Sequence, residues 1–233
     1  MRNLYKYERL DIDKKIKHFF VSVDTLVDVG CGIRPFCEID ANVHICIEPW
    51  KEYIDIISNC YPKTSSFVFL NTDAINGLKT FADKSVDSVC IIDVIEHLSK
   101  DDGYVLIKEA ERIARKQIII FTPLGYMSNH AEEKDGWGLN GGKMQEHLSG
   151  WLPEDFDEDW DIHICEKYHL KENHHIVIDR DYGCLWAIKN IKYNPHILKG
   201  TPSFVIENSF KSRKSSKGFF KKLFSKIIGE QGV

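Results

Sequence analysis

The sequence lacks three things that would place it in other classes of protein. It has no C-x-x-C pair, although it holds 7 cysteines: Cys31, Cys37, Cys46, Cys60, Cys90, Cys165 and Cys184. Their odd number, wide scatter and frequent position inside apolar runs argue against a disulfide framework or a zinc site, and for thiols used as small hydrophobes in a reducing compartment. No metal centre is expected. There is no apolar run near the ~20 residues that cross a bilayer, and the first thirteen residues are charged, without the apolar core of a signal peptide. A cytoplasmic location is the expectation. Nor is there an excess of positive charge. The net charge of -4 disfavours a protein that coats nucleic acid through bulk electrostatics.

What is present is an ordinary globular composition, 43% hydrophobic and 28% charged, in 233 residues. That length suffices for one α/β domain with an appendage. Short apolar runs recur at 25–29, 43–47, 66–70, 86–92 and 117–121, and two more at 161–165 and 184–188. Such near-continuous runs suit strands covered on both faces. Helical stretches are expected between them at 51–59 and 101–115, with a short helix near 152–157 and a helix at 11–20 leading into the sheet. The 122–158 region, rich in Gly, Asn, His and charge, is too long for a simple connection over much of its length and reads as a lid or acceptor-binding segment. Residues 1–23 are expected as a helical lead-in, 24–200 as the main domain, and 201–233 as a linker followed by a basic amphipathic helix.

The sharpest local feature is Leu26-Val-Asp-Val-Gly-Cys-Gly-Ile-Arg-Pro35, a strand running into Gly30-x-Gly32. Glycines there let a ligand approach the backbone. Glu48 ends the second strand twenty positions beyond Asp28, where a carboxylate can accept from a ribose diol. Pro35 stands about where a nicotinamide-binding fingerprint needs its third glycine, and little room remains for a helix before the second strand. Dinucleotide binding is therefore disfavoured.

Taken together, Asp28-Val-Gly-Cys-Gly32, the acid closing strand two, Asn71-Thr-Asp-Ala74 after strand three and Asp93-Val-Ile-Glu-His-Leu98 after strand four resemble the class I S-adenosylmethionine-dependent methyltransferases. Phe121-Thr-Pro123 and His147-Leu-Ser-Gly-Trp151, with Glu154-Asp-Phe156, fit the group of that superfamily acting on small molecules, quinone precursors and bacterial surface sugars. The resemblance covers about 24–190. It implies a Rossmann-like, mostly parallel seven-stranded sheet with helices on both faces and an antiparallel last strand. It implies S-adenosylmethionine as cofactor, with Asp28, Gly30 and Gly32 bordering the methionine moiety and Glu48 holding the ribose. Trp50 would cover the adenine or ribose, Asp73 and Ala74 would meet the adenine, and Asp93 would lie near the amino-acid end or the sulfonium. Blander alternatives stand beside these roles: Asp73 taken alone reads as a helix cap, and Trp50 as core.

The implied reaction is O-methylation of a small-molecule or glycan acceptor by in-line displacement, in which holding the reactants in attack geometry does most of the work. A histidine can take the acceptor's proton. His97, His130 and His147 are the candidate catalytic bases, each with a structural alternative. Base-modifying members usually carry an Asn- or Asp-Pro-Pro-aromatic motif where this chain has Asp93-Val-Ile-Glu96, so a nucleic-acid substrate is not expected. A non-catalytic scaffold or membrane-tethered partner is the other alternative. In the tail, Phe219, Phe220, Leu223, Phe224, Ile227 and Ile228 recur at helical spacing among Lys221, Lys222 and Lys226. That pattern suits peripheral contact with the anionic inner face of a membrane, or packing on a protein surface.

Overall fold

A computed structural model of the protein describes residues 3–61, 66–129, 133–171 and 178–193. The chain divides into two units, Met1–Lys192 and Tyr193–Val233. The sheet lies in the first. In the second only Tyr193 is described, so the linker and amphipathic helix expected over 201–233 lie outside the described residues.

The strands form where the apolar runs stand: β2 (Val23–Val29), β3 (Ala41–Ile47), β4 (Phe67–Leu70), β5 (Val86–Ile92), β6 (Ala114–Leu124), β7 (Asp161–His169) and β8 (Tyr182–Asn190). An eighth strand, β1 (Asn3–Lys6), precedes them, so the N-terminal segment expected to be helical opens on an edge strand instead. The reason is tertiary. All four β1 residues are exposed, but they pair in parallel with β7, and Asn3 and Lys6 reach Asp161 and Glu166 at 2.7 and 2.9 Å. Tyr5 stacks on His163 at 4.7 Å.

Helix α1 (Arg9–Ile16) follows β1 and passes through a 3₁₀ turn into β2. Helices α2 (Lys51–Cys60), α3 (Ala74–Lys79) and α4 (Lys100–Ile113) fall between the parallel strands. No helix connects β2 to β3, in keeping with the short 33–42 segment. α4 starts where Ser99 accepts from the Asp102 N–H, and it buries Leu106, Ile107, Ala110 and Ile113 at helical spacing.

The sheet order is β1-β7-β8-β6-β5-β2-β3-β4, with β8 antiparallel to both neighbours and all other pairs parallel. One face packs Val27, Val29, Val89, Ile91, Ile118 and Ile120 against α3 and α4. The other packs Leu26, Cys90 and Ile119 against Ile12 and Ile16 of α1, while Cys46 meets Ile54 and Ile57 of α2. Helices thus cover both faces. From β2 the chain winds outward through β3 and β4, then returns to β5 on the other side. Ligands of open α/β sheets bind at the carboxyl ends of strands where the order reverses in this way.

Candidate active site

A cleft of about 510 Å³ opens at that point, between the ends of β2, β5 and β6. Its size lies within the ~300–1,000 Å³ of small-molecule sites. Its floor is the loop after β2. Gly30 and Gly32 hold φ of 67° and 54°, a left-handed backbone that side chains disfavour. A Cβ on Gly32 would stand 2.7 Å from the Trp137 ring, so the bare backbone also admits that indole.

Two buried carboxylates shape this loop from below. Glu48 accepts from the Gly32 N–H at 3.0 Å and the Trp50 N–H at 2.8 Å. Burial pushes its carboxyl above the usual range, against the pull of those two bonds. Asp28 is only 1% exposed, and its oxygens accept from the Phe36 N–H at 2.7 Å, meet His44 Nε2 at 3.1 Å and receive the Cys90 thiol at 3.4 Å. Burial works against the His44 charge, but Asp28 and Cys46 raise its pKa to about 9, so a buried ion pair underlies the loop at neutral pH. Asp28 therefore holds the loop in shape from below and also lines the cleft.

The opposite end of the cleft is acidic and carries imidazoles. Asp93 closes β5 with φ 52°, a strained conformation for this residue type, and faces the cleft. The next turn, Ile95–His97, places the buried Glu96 against Asp93, and Glu96 accepts from the Thr122 hydroxyl at 3.0 Å. Reduced hydration and the neighbouring Glu96 raise the Asp93 carboxyl above its usual range although its side chain is exposed at the cleft, and burial raises that of Glu96. The two acids hold a proton above the usual carboxylate range. His97 donates from Nδ1 to the Glu146 carbonyl at 3.1 Å, and burial lowers its pKa. His147 lies beside it, with ring centroids 5.0 Å apart.

The roof is the segment after β6. Asp135 accepts from the N–H groups of Trp137 and Leu139 at 2.8 and 2.9 Å, and from that of Gly141 at 3.3 Å. The Tyr53 hydroxyl of α2 donates to the same carboxylate. One buried acid thus folds the Asp135–Gly141 loop and ties it to α2. Trp137, edge-on to Tyr53 at 5.2 Å, comes to lie over Gly32.

Of the residues singled out from the sequence, Asp28, Gly30, Gly32, Asp93, His97 and His147 line this cleft. Glu48 lies directly beneath Gly32. Trp50, Asp73 and Ala74 do not line it. Asp73 caps α3, accepting from the N–H and the side-chain amide of Asn76 at 2.9 and 2.8 Å, which is the capping alternative and lowers its pKa. Trp50 sends its indole N–H to Glu52 at 3.4 Å. His130 lies outside the described residues. Sequence reasoning passed over Arg34, Glu96, Asn129, Asp135, Trp137 and Gln145. Glu96 stood inside a motif already noted, and Asp135-Gly-Trp-Gly138 is a turn signature that marks a folded loop.

The donor set suits a cationic, phosphate-free nucleoside. Carboxylates of Asp28, Asp93 and Glu96 line the cleft, and Arg34 is the only lysine or arginine lining it among the described residues. These features define a Rossmann-like enzyme that binds a nucleoside cofactor at the sheet's switch point. The comparisons with known proteins narrow the class. Residues 27–121 match the family described as a methyltransferase domain. No curated protein matches the sequence. Among solved structures, the YcgJ protein of Bacillus subtilis aligns with a TM-score of 0.54 at 12% identity, over 80% of this chain and 99% of its own. A protein of Bacillus halodurans C-125 described as a methyltransferase gives 0.53 at 11% identity, over 78% and 100%. The N-terminal domain of EvdMO1, crystallised with SAH and D-fucose, gives 0.50 at 11% identity, over 79% and 83%. At such identities the likeness is one of fold. The match over residues 27–121 and the shared fold support reading the chain as an S-adenosylmethionine-dependent methyltransferase.

Proposed function

We propose that the protein methylates a hydroxyl of a small-molecule or glycan acceptor. The supporting observation is the chemistry of the wall opposite the glycine loop. There His97 and His147 stand with Asn129 and Gln145, while Trp137 lies over Gly32 at the roof of the cleft. Amide groups and imidazoles suit hydrogen bonds to hydroxyls, and an indole face suits the apolar side of a sugar ring. A track of basic residues for a phosphate backbone has no counterpart among the described lining residues.

S-adenosylmethionine, when bound, supplies an electrophilic methyl group and leaves as a neutral thioether once the acceptor oxygen has taken it. The chain's own tasks are to orient the acceptor and to let its hydroxyl proton leave. Gly30, Gly32 and Glu48 form the cofactor side, and Arg34 offers the one cation for the methionine carboxylate. Asp93 and Glu96 give the positive end of the cofactor an acidic setting. The test is a panel of sugars, glycans, phenols, amines and nucleic acids incubated with methyl-labelled cofactor. Label in methyl ethers of hydroxyl acceptors is expected. Label appearing only in amines or nucleic acid would refute the acceptor class.

A further inference from the structure

Glu96, His97 and His147 come together in a way the methyl-transfer reading does not require. Each offers one ligand atom within 4.8 Å of the other two, and all three line the cleft. Main-chain bonds hold the two segments in register. The N–H groups of Leu148 and Ser149 donate to the Glu96 carbonyl at 2.7 and 3.0 Å, and the Ser149 hydroxyl donates to the Ile95 carbonyl at 3.2 Å.

The imidazoles are oriented alike. His97 Nδ1 meets the Glu146 carbonyl at 3.1 Å, and His147 Nδ1 meets the Met127 carbonyl at 2.6 Å. A carbonyl only accepts, so each of these rings donates from Nδ1. Ligating histidines are fixed in this manner, with the other ring nitrogen donating to a backbone carbonyl. The Thr122 hydroxyl orients the Glu96 carboxylate at 3.0 Å in the same way.

We propose that Glu96, His97 and His147 form a divalent-cation site at the acceptor end of the cleft, suited to Mn²⁺, Co²⁺ or Zn²⁺. Two imidazole nitrogens and one carboxylate oxygen favour such ions over Ca²⁺ or Mg²⁺, which take oxygen donors. Three protein ligands facing an open cleft leave coordination positions for water or a substrate oxygen, as in catalytic rather than structural sites. A second group of similar spacing, Asp28, His44 and Cys46, is buried throughout. Neither its His44 nor its Cys46 lines the cleft, so that group is part of the loop's support.

The catalytic use of the cation rests on the hydroxyl-acceptor reading. A coordinated acceptor hydroxyl loses its proton more readily, to water in the cleft. Its oxygen then forms the bond to the methyl carbon as the carbon–sulfur bond breaks, and the sulfur keeps the electron pair.

The experiment uses the full chain, stripped with chelator and titrated with Co²⁺ and Mn²⁺. One ion per chain is expected, with pulsed electron paramagnetic resonance of the Mn²⁺ form showing imidazole nitrogen couplings. E96Q, H97A and H147A should each weaken binding by more than about tenfold. The nitrogen couplings are read on the unsubstituted protein, so a variant that misfolds does not blunt the test. Absence of those couplings, or no more binding by the stripped protein than by the triple variant, overturns the site. Binding here without transfer to any hydroxyl acceptor sinks the acceptor reading and leaves the site standing. Methyl transfer undiminished by stripping overturns the cation's catalytic role and leaves the acceptor reading intact.

Discussion

Glu48 and Asp87 illustrate two uses of a buried carboxylate. Glu48 spends one oxygen on the Gly32 N–H and the other on the Trp50 N–H. Glu48→Gln keeps one acceptor but turns an NH₂ group toward an N–H donor, leaving a buried donor unpaired at a cost of about 1–3 kcal/mol. The glycine loop should loosen, and calorimetry should show S-adenosylmethionine affinity lowered by about tenfold or more, with helix content unchanged. An unaltered affinity would count against Glu48 as the loop's support. Asp87 is 1% exposed and remote from the cleft. Burial opposes its charge, but Arg115, the Asp24 N–H and Lys116 outweigh it and bring its pKa from 3.8 to about 2. Because the folded value is the lower one, the unfolded chain binds the proton first as pH falls. The stabilisation is whole above about pH 4 and is lost as pH drops toward 2, amounting to roughly 2 kcal/mol. Asp87→Asn should lower the melting temperature at pH 7, and the gap from the parent protein should narrow in acid. A gap that stays constant with pH would disprove the linkage.

Among elements, the roof loop depends most on contacts distant in sequence. Asp135 gathers three backbone N–H groups and the Tyr53 hydroxyl, 82 positions away. Asp135→Ala should free the loop from α2 and raise the KM for cofactor and acceptor while leaving the melting temperature within a few degrees. Faster hydrogen exchange confined to 133–145 is the expected signature, and unchanged exchange there would contradict the role. The same contrast between local and distant causes decides what was legible in the sequence. β5 appears at its expected limits because residues 89–92 form an apolar run and the strand is buried over nearly its whole length. β1 was hidden because its residues are all exposed and its partner is the edge of β7. The glycine loop and its flanking acids could be read directly, since strand ends and missing side chains are local signals. Asp73 shows the limit of such signals: an acid before a helix serves the cap as readily as a ligand, and here it accepts from Asn76. The meeting of Glu96 with His147 was illegible, because it is made by main-chain bonds between 96 and 148–149 that no spacing encodes.

On the scale of the whole molecule, the described sheet and cleft belong to the first unit, and the basic amphipathic pattern of 219–228 to the second. Among the described residues no helix is long and apolar enough to cross a membrane. We propose that the tail pattern serves contact with an anionic lipid surface, where each lysine contributes about 1 kcal/mol. The full chain should float with phosphatidylserine vesicles at low salt, and K221E/K222E/K226E should not; equal flotation of the two rules the idea out. The enzyme assignment itself depends on the cleft at the ends of β2 and β5 taking a sulfonium nucleoside. Isothermal calorimetry of the purified chain with S-adenosylmethionine and S-adenosylhomocysteine tests this most directly. Saturable binding of one molecule per chain in the micromolar range is predicted, and a folded sample that gives no binding heat with either ligand at millimolar concentration would contradict it.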